Sequence, residues 1–277
     1  MEQKGREVCG LESQGSLETS ASAGSLIVNA DDWGRDRETT DRTLDCIRAA
    51  TVSGVSAMVF MDDSERAAEI AREHGVDTGL HLNFTEPFSE KHGPGQLADR
   101  HNQVRAYLRR DPRARVFFNF GLRQAFAYLV AAQLDEYRRL YGEDPKRLDG
   151  HHHQHLCANV LYAGLLPAGT LVRRNFSFAA GEKSWANRFY RKAIDRRLAR
   201  NHDLVDFLFS ITPLEPVSRL QRIFSIARHS LVELETHPAA PEEHRFLTSE
   251  AIRPLLNDVK VAANFTATVA EARRRQS

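Results

Sequence analysis

The sequence predicts one α/β domain organised around a parallel sheet, with an irregular barrel as its simplest closed form. Three observations lead there. From Ser25 onward, short apolar runs of strand length alternate with longer amphipathic runs of helix length, the rhythm of βαβ units. No internal repeat and no linker interrupts the chain after residue 24. The 277 residues, 42% of them hydrophobic, supply enough apolar material for one large core or two small ones, and the missing linker favours one.

The elements follow in order. Residues Met1 to Gly24 are rich in Ser, Gly, Glu and Gln without a periodic apolar face, which predicts a disordered leader. They lack the apolar centre of a secretion signal, and Glu2, Glu7, Glu12 and Glu18 argue against an organellar import sequence. Leu26-Ile27-Val28 reads as a buried strand, and Asp36 is placed to cap a helix carrying Leu44, Ile47 and Ala50. Val55 to Phe60 is the next strand, Asp62 or Asp63 the cap of a helix through His74, and Val76 to Phe84 the third strand. Glu86 to Asp99 holds two Pro and two Gly among polar residues and reads as a long loop. A helix is expected over 121–141, then a short strand Arg147-Leu148-Asp149. Further strands are expected at Thr170 to Val172, Leu204 to Phe209 and Leu231 to Glu235, with helices near 156–166, 183–200, 216–228 and 248–257. The folded domain is thus expected to span 25–277.

Charge and composition exclude several classes. Lys+Arg 38 against Asp+Glu 37 leaves a net charge of +1, so the whole molecule exerts no strong pull on nucleic acid or an anionic membrane, and neither is expected as a partner. Two basic segments stand out, Arg100 to Arg115 and Arg188 to Arg200. They read as solvated helix faces balanced by acids elsewhere. No apolar run approaches about 18 residues, so no membrane span is expected. Three cysteines, Cys9, Cys46 and Cys157, are too few and too scattered for a disulfide framework or a thiolate zinc site. A reducing, cytoplasmic setting is the expectation. Aromatic residues near the loop, Trp33, Phe84 and Phe88, read as core more readily than as platforms for sugar rings.

Four clusters carry chemistry. Asn29-Ala30-Asp31-Asp32-Trp33-Gly34 places two adjacent carboxylates at the carboxyl end of an apolar strand, where α/β folds bind ligands. Burying two like charges is costly unless a cation compensates. One metal ligand and one general base, or a plain helix cap, fit the pair about equally. In Gly79-Leu80-His81-Leu82-Asn83, an imidazole interrupts a strand-like run and must find a partner. In Asp149-Gly150-His151-His152-His153-Gln154-His155, four of twelve histidines fall within five residues. An extended segment would put His151, His153 and His155 on one face, and a helical one His151 and His155, while Asp149 could buttress a ring nitrogen. Glu235-Thr236-His237-Pro238 ends another strand in a histidine suited to proton donation. Mixed carboxylate and imidazole ligands around an open position describe a hydrolytic divalent-metal site.

In these residues the sequence resembles the YdjC-like carbohydrate deacetylases, the family that contains chitooligosaccharide deacetylase. The resemblance rests on Ile27 to Gly34, Gly79 to Asn83 and Leu148 to His155, with Leu171-Val172-Arg173 and Glu235 to Pro238 following in order over about 25–265. It implies an irregular (β/α) barrel related to polysaccharide deacetylases, and metal-dependent removal of acetyl groups from N-acetylated oligosaccharides or amino sugars. Carried onto this chain, it implies Asp31 as base, His237 as acid, and Asp32, His81 and His151 as metal ligands. The implied metal is magnesium, whereas two imidazoles with one carboxylate also suit zinc. The chain departs from the family pattern at Trp33, Thr40, Gly150 and Arg174-Asn175. A hydrolase of another ester, amide or phosphoester, or a non-catalytic sugar- or metal-binding module, stands as the alternative, and a homodimer is left open.

Overall fold

The computed structural model describes residues 24–110, 113–178, 181–257 and 259–276; the expected leader, apart from Gly24, lies outside the described residues. Among the described residues seven strands form one sheet: β1 (Ser25–Trp33), β2 (Gly54–Ala57), β3 (Thr78–Leu82), β4 (Arg147–Gly150), β5 (Leu171–Val172), β6 (Phe207–Ser210) and β7 (Leu231–Thr236). Their order is β5-β4-β3-β2-β1-β7-β6, and every adjacent pair is parallel. The sheet curls until its edges approach: Leu171 bridges Asp203 just ahead of β6, and past β5 the Ser177 N–H donates to the Leu208 carbonyl of β6 at 2.8 Å. The Val172 N–H donates to the Asp203 carbonyl at 2.9 Å.

Parallel neighbours need crossovers, and helices supply them. α1 (Arg37–Arg48) and α2 (Ser64–His74) make the first two, α3 (Gln96–Arg110) and α4 (Arg123–Tyr141) the third, and α5 (Ala158–Tyr162) the fourth. α6 (Trp185–Leu198) and α7 (Val217–Ala227) lead into β6 and β7, while α8 (Pro241–Thr248), α9 (Arg253–Asn257) and α10 (Phe265–Gln276) follow β7.

Strand alternation divides the side chains between two environments. Ala30, Val55, Ala57, Leu80, Leu82 and Leu148 join the core shared with the surrounding helices, which also buries Trp33 and Phe84. The opposite parity points inward. Ile27, Leu171, Val205 and Leu231 pack with Phe265 and Val269 of α10 into an apolar plug, which seals the amino-terminal end of the barrel. One step toward the carboxyl end, the inward positions turn polar. Arg147 donates to Asn29 Oδ1 at 2.9 Å and to the Val55 carbonyl at 2.6 Å, reaching from β4 across to β1 and β2. Gly79 makes room for it: a Cβ there would stand 2.5 Å from Arg147 Cγ.

Several expectations change. β1 continues through Asp31 and Asp32 to Trp33, because Trp33 pairs with Ala57 and its carbonyl accepts from Met58 N–H at 2.8 Å. β2 stops at Ala57, and Phe60, expected within it, has φ +63°. Asp36 caps α1 as its spacing indicates, accepting from Thr39 N–H at 2.8 Å, but Ala50 falls beyond that helix. The loop expected at 86–99 ends early, since α3 begins at Gln96 and buries His101, Val104 and Leu108 at helical spacing. α8 and α10 were not expected, and the helix expected at 248–257 is the shorter α9. α10 has few apolar residues of its own, and its position under the barrel, not its sequence periodicity, secures it.

The plug gives a stability prediction. Phe265→Ala should cost about 3–5 kcal/mol as a large cavity opens beneath the sheet, whereas Phe189→Ala, at a 59% exposed position, should change stability by under about 0.5 kcal/mol. Urea unfolding midpoints of the two variants check the contrast.

Candidate active site

The carboxyl ends of β1, β3, β4 and β7 converge on a buried cluster of charge. Adjacent strand residues ordinarily face opposite sides of a sheet, yet Asp31 and Asp32 both turn inward. The register shifts between Ala30 and Trp33, and Asp32 has φ +65°. A non-glycine residue in the left-handed region carries backbone strain of about 1–3 kcal/mol, which surrounding structure must hold in place.

Asp32, His81 and His151 meet. His151 Nδ1 lies 2.9 Å from Asp32 Oδ1, and His81 Nε2 lies 3.4 Å from the same oxygen. Asp32 Oδ2 is taken by Arg35 at 2.8 Å, which leaves Oδ1 as the atom facing the imidazoles. Burial acts to raise the Asp32 carboxyl, but the hydrogen bond from His151 and the charge of the two imidazoles hold it well below the usual carboxylate range. His81 Nδ1 donates to Asp149 Oδ1 at 2.7 Å, fixing the ring from behind. Its Nε2 is buried with no hydrogen-bond partner. Burial lowers the His81 pKa, but Asp31 and Asp149 more than offset it and push it up to about 10. The acids around the ring thus favour positive charge at this position.

Asp31 is gripped on both oxygens. Arg173 donates to Oδ2 at 2.6 Å and to Oδ1 at 2.7 Å, and Asn29 Nδ2 donates to Oδ1 at 2.8 Å. The same guanidinium reaches Asp149 at 2.9 Å, Glu233 at 2.7 Å and Glu235 at 3.0 Å. Ser56 Oγ joins the network, donating to Asp149 Oδ2 at 2.6 Å. His237 Nε2 stands 3.9 Å from Asp31 Oδ2 with its side chain 36% exposed, and its backbone N–H donates to Glu243 Oε2 at 2.6 Å. Burial lowers the His237 pKa, but Asp31, Glu235 and Asp32 raise it above its ordinary value.

Among the described residues, three groups of acids and imidazoles have ligand atoms within 4.8 Å of one another: Asp32, His81 and His151; Asp31, His81 and Asp149; and Asp31, Glu235 and His237. In the second and third, Arg173 already bonds every carboxylate. The first keeps one carboxylate oxygen and an orphaned ring nitrogen pointing at a shared position. Carboxylate with two imidazoles, one of them backed by a second carboxylate, is a donor set that could hold a divalent cation.

The histidine run serves other ends than its spacing suggested. His151 to Leu156 form a 3-10 segment in which His152 and His153 have φ of +54° and +55°, so neither the extended nor the helical alternative holds. Only His151 reaches Asp32. His153 Nε2 pairs with Glu235 at 3.1 Å, and His155 Nε2 donates to the Arg173 carbonyl at 2.9 Å. Sequence reasoning overlooked Arg35 and gave Glu233, Glu235 and Arg173 no role. The signal for the glutamates was present: acids at every second position of an otherwise apolar strand belong on an inward face.

A parallel barrel with a buried acid–imidazole centre at its carboxyl mouth has its counterpart among known proteins. The chain belongs to the YdjC-like family, whose sequence model matches residues 25–271. It is 34% identical over 145 residues to a carbohydrate deacetylase of Mus musculus, covering 49% of this chain and 44% of that protein. It is 27% identical over 139 residues to a chitooligosaccharide deacetylase of Yersinia pestis, covering 49% and 52%. The chain thus spans about half the length of the curated relatives it matches. In fold it resembles the crystal structure of a candidate cellobiose-phosphate cleavage protein from Enterococcus faecalis, with TM-score 0.62 at 16% identity over 89% of this chain and 99% of that one.

Two outcomes follow from the charge cluster. Arg173→Met, which strands four buried carboxylates, should cost about 3–5 kcal/mol, and Arg173→Lys should recover only part of that because an ammonium lacks the planar fork. Chemical denaturation checks both. Burial pushes the Glu233 carboxyl up from 4.5 to about 7 against the pull of Arg173. The folded chain then binds more protons than the unfolded chain between these values, so this residue makes stability fall as pH rises through that window. Glu233→Gln should flatten the slope of unfolding free energy measured from pH 4.5 to 7.

Proposed function

We propose that the protein is a metal-dependent carbohydrate deacetylase, removing acetyl groups from N-acetylated oligosaccharides or amino sugars. The observation that carries this reading is the joint presence of Asp32, His81 and His151 around one position, with the orphaned His81 Nε2 facing it, beside a second carboxylate and a partly exposed imidazole. Family membership and the deacetylase relatives support the substrate class. Asp32, His81 and His151 would hold the cation, and two imidazoles suit zinc or another transition ion by ligand softness. Such an ion would supply Lewis-acid polarisation of the acetamido carbonyl and acidify water.

The chain's own residues supply the rest. Asp31 accepts the proton of the attacking water. Arg173 and Asn29 fix its carboxylate plane, so the base is oriented before substrate arrives. Asp149 holds His81 with Nδ1 protonated, leaving Nε2 as the ligand atom. An amine leaves an amide carbon only when its nitrogen is protonated. His237, at the solvent side of Asp31 and with its proton affinity raised by the surrounding acids, gives that proton. Acetate and a free amino sugar result.

Asp31→Asn should lower acetate release from N-acetylated chito-oligosaccharides by about 100-fold or more while the bound metal is retained. Asp32→Ala should lose both, and EDTA should abolish activity that added divalent ion restores. Acetate assays with elemental analysis of protein purified without chelator check all three. Loss of metal in Asp31→Asn overturns the division of roles, and turnover of phosphoesters in place of acetamides overturns the reaction.

A further inference from the structure

Among the described residues eight large apolar side chains are exposed, and seven of them lie on three segments that pack together. Val116, Phe117 (65% exposed) and Phe120 (85%) follow α3, Tyr162 ends α5, and Trp185 (77%), Phe189 (59%) and Tyr190 occupy the first turns of α6. α5 joins the other two segments. The Ala158 N–H donates to the Arg115 carbonyl at 2.8 Å, and Asn119 and Asn159 exchange two hydrogen bonds. On its other side, the Arg197 guanidinium covers the Tyr162 ring 4.7 Å from its centre. Trp185 and Phe189, one turn apart, stack on each other at 5.6 Å.

The charge along α6 itself is mostly positive. α6 carries one carboxylate, Asp195, which is buried and paired with Arg174. No carboxylate among the described residues pairs with Arg188, Lys192 or Arg196. Arg115, from the other basic segment, approaches α6 closely enough that, after burial, its charge is what lowers the Arg191 pKa. Arg115, distant in sequence, therefore adds its charge to the α6 face. The overall charge of +1 conceals this concentration, because the balancing acids sit elsewhere.

We propose that this aromatic and basic face docks peripherally on an anionic lipid surface, with Trp185, Phe189, Phe117 and Phe120 entering the interface and the arginines and lysines holding the headgroups. Exposed aromatic rings level with cationic side chains are the composition of elements that lie at a membrane boundary. Exposures of 59–85% set these rings out in solvent and not within a groove, which disfavours base stacking or peptide capture. Two copies joined here would oppose like charges, which disfavours self-association. Among the described residues no helix is long and apolar enough to cross a membrane, and docking requires none. Arg115 also lines, with Glu86 and His152, a cavity of about 390 Å³, and Glu86 lies 3.9 Å from His151. Docking thus sets the mouth of the barrel beside the surface.

The full chain is titrated with phosphatidylcholine vesicles, with and without phosphatidylserine, by co-sedimentation and tryptophan emission. Of the two tryptophans Trp33 is buried, so an emission shift reports Trp185. Binding should be about tenfold or more stronger to the anionic vesicles and should weaken with salt. Trp185→Ser with Phe189→Ser should weaken it about tenfold or more, and Arg188→Glu with Lys192→Glu should remove the anionic preference, both with unchanged thermal midpoints. Absence of binding to both vesicle types overturns the proposal, as does binding that neither variant alters. Tighter binding to a single-stranded oligonucleotide than to the vesicles, or self-association that these variants abolish, also overturns it. The readout is vesicle binding, so it stands or falls apart from the reaction proposed above.

Discussion

The guanidinium of Arg173 sits at the centre of the barrel mouth, buried, with carboxylates of Asp31, Asp149, Glu233 and Glu235 within ion-pair distance. These acids come from β1, β4 and β7, and Arg173 itself follows β5. Four carboxylates in such a space repel one another and lose the hydration that would otherwise favour them. A planar, permanently charged fork is the one side chain that can satisfy several of them at once. The arrangement ties opposite sides of the barrel together and fixes the plane of Asp31.

The division between Asp31 and Asp32 follows from this. Both oxygens of Asp31 face Arg173, whereas Asp32 gives one oxygen to Arg35 and presents the other to His81 and His151. Neighbouring residues of one strand thus acquire different partners, although their covalent chemistry is identical. The register shift in β1 and the positive φ at Asp32 make it possible. Asp149 shows the same economy of position, with one oxygen orienting His81 and the other accepting from Ser56 and Arg173.

Much of the scaffold was legible from local pattern. β1, β3, β4, β5 and β7 lie where apolar runs placed them, and the Asp36 cap was readable because a side-chain oxygen three residues before a free N–H is a local matter. α8 and α10 were not legible: Phe265 and Val269 are too sparse a stripe to announce a helix, and only the open end of the barrel gives them a place. The histidine run was legible as chemistry but not as geometry. Its two left-handed residues, His152 and His153, redirect the chain so that a single imidazole of the four faces Asp32. Gly150 belongs to the same turn, since a Cβ there would lie 3.0 Å from the His155 nitrogen.

By itself the sequence determined the strand and helix rhythm, the parallel sheet it requires, and the identities of acids and imidazoles at strand ends, because these depend on short-range periodicity and on residue type. Tertiary structure alone decided which of those groups meet. Contacts such as Arg173 with Glu233, or His151 with Asp32, join residues far apart in the chain, and their geometry is set by how the sheet curls and by which side chains its interior can bury. The clustering of exposed aromatics with basic residues was decided at the same level, since α5 brings together segments whose sequences carry no mark of one another.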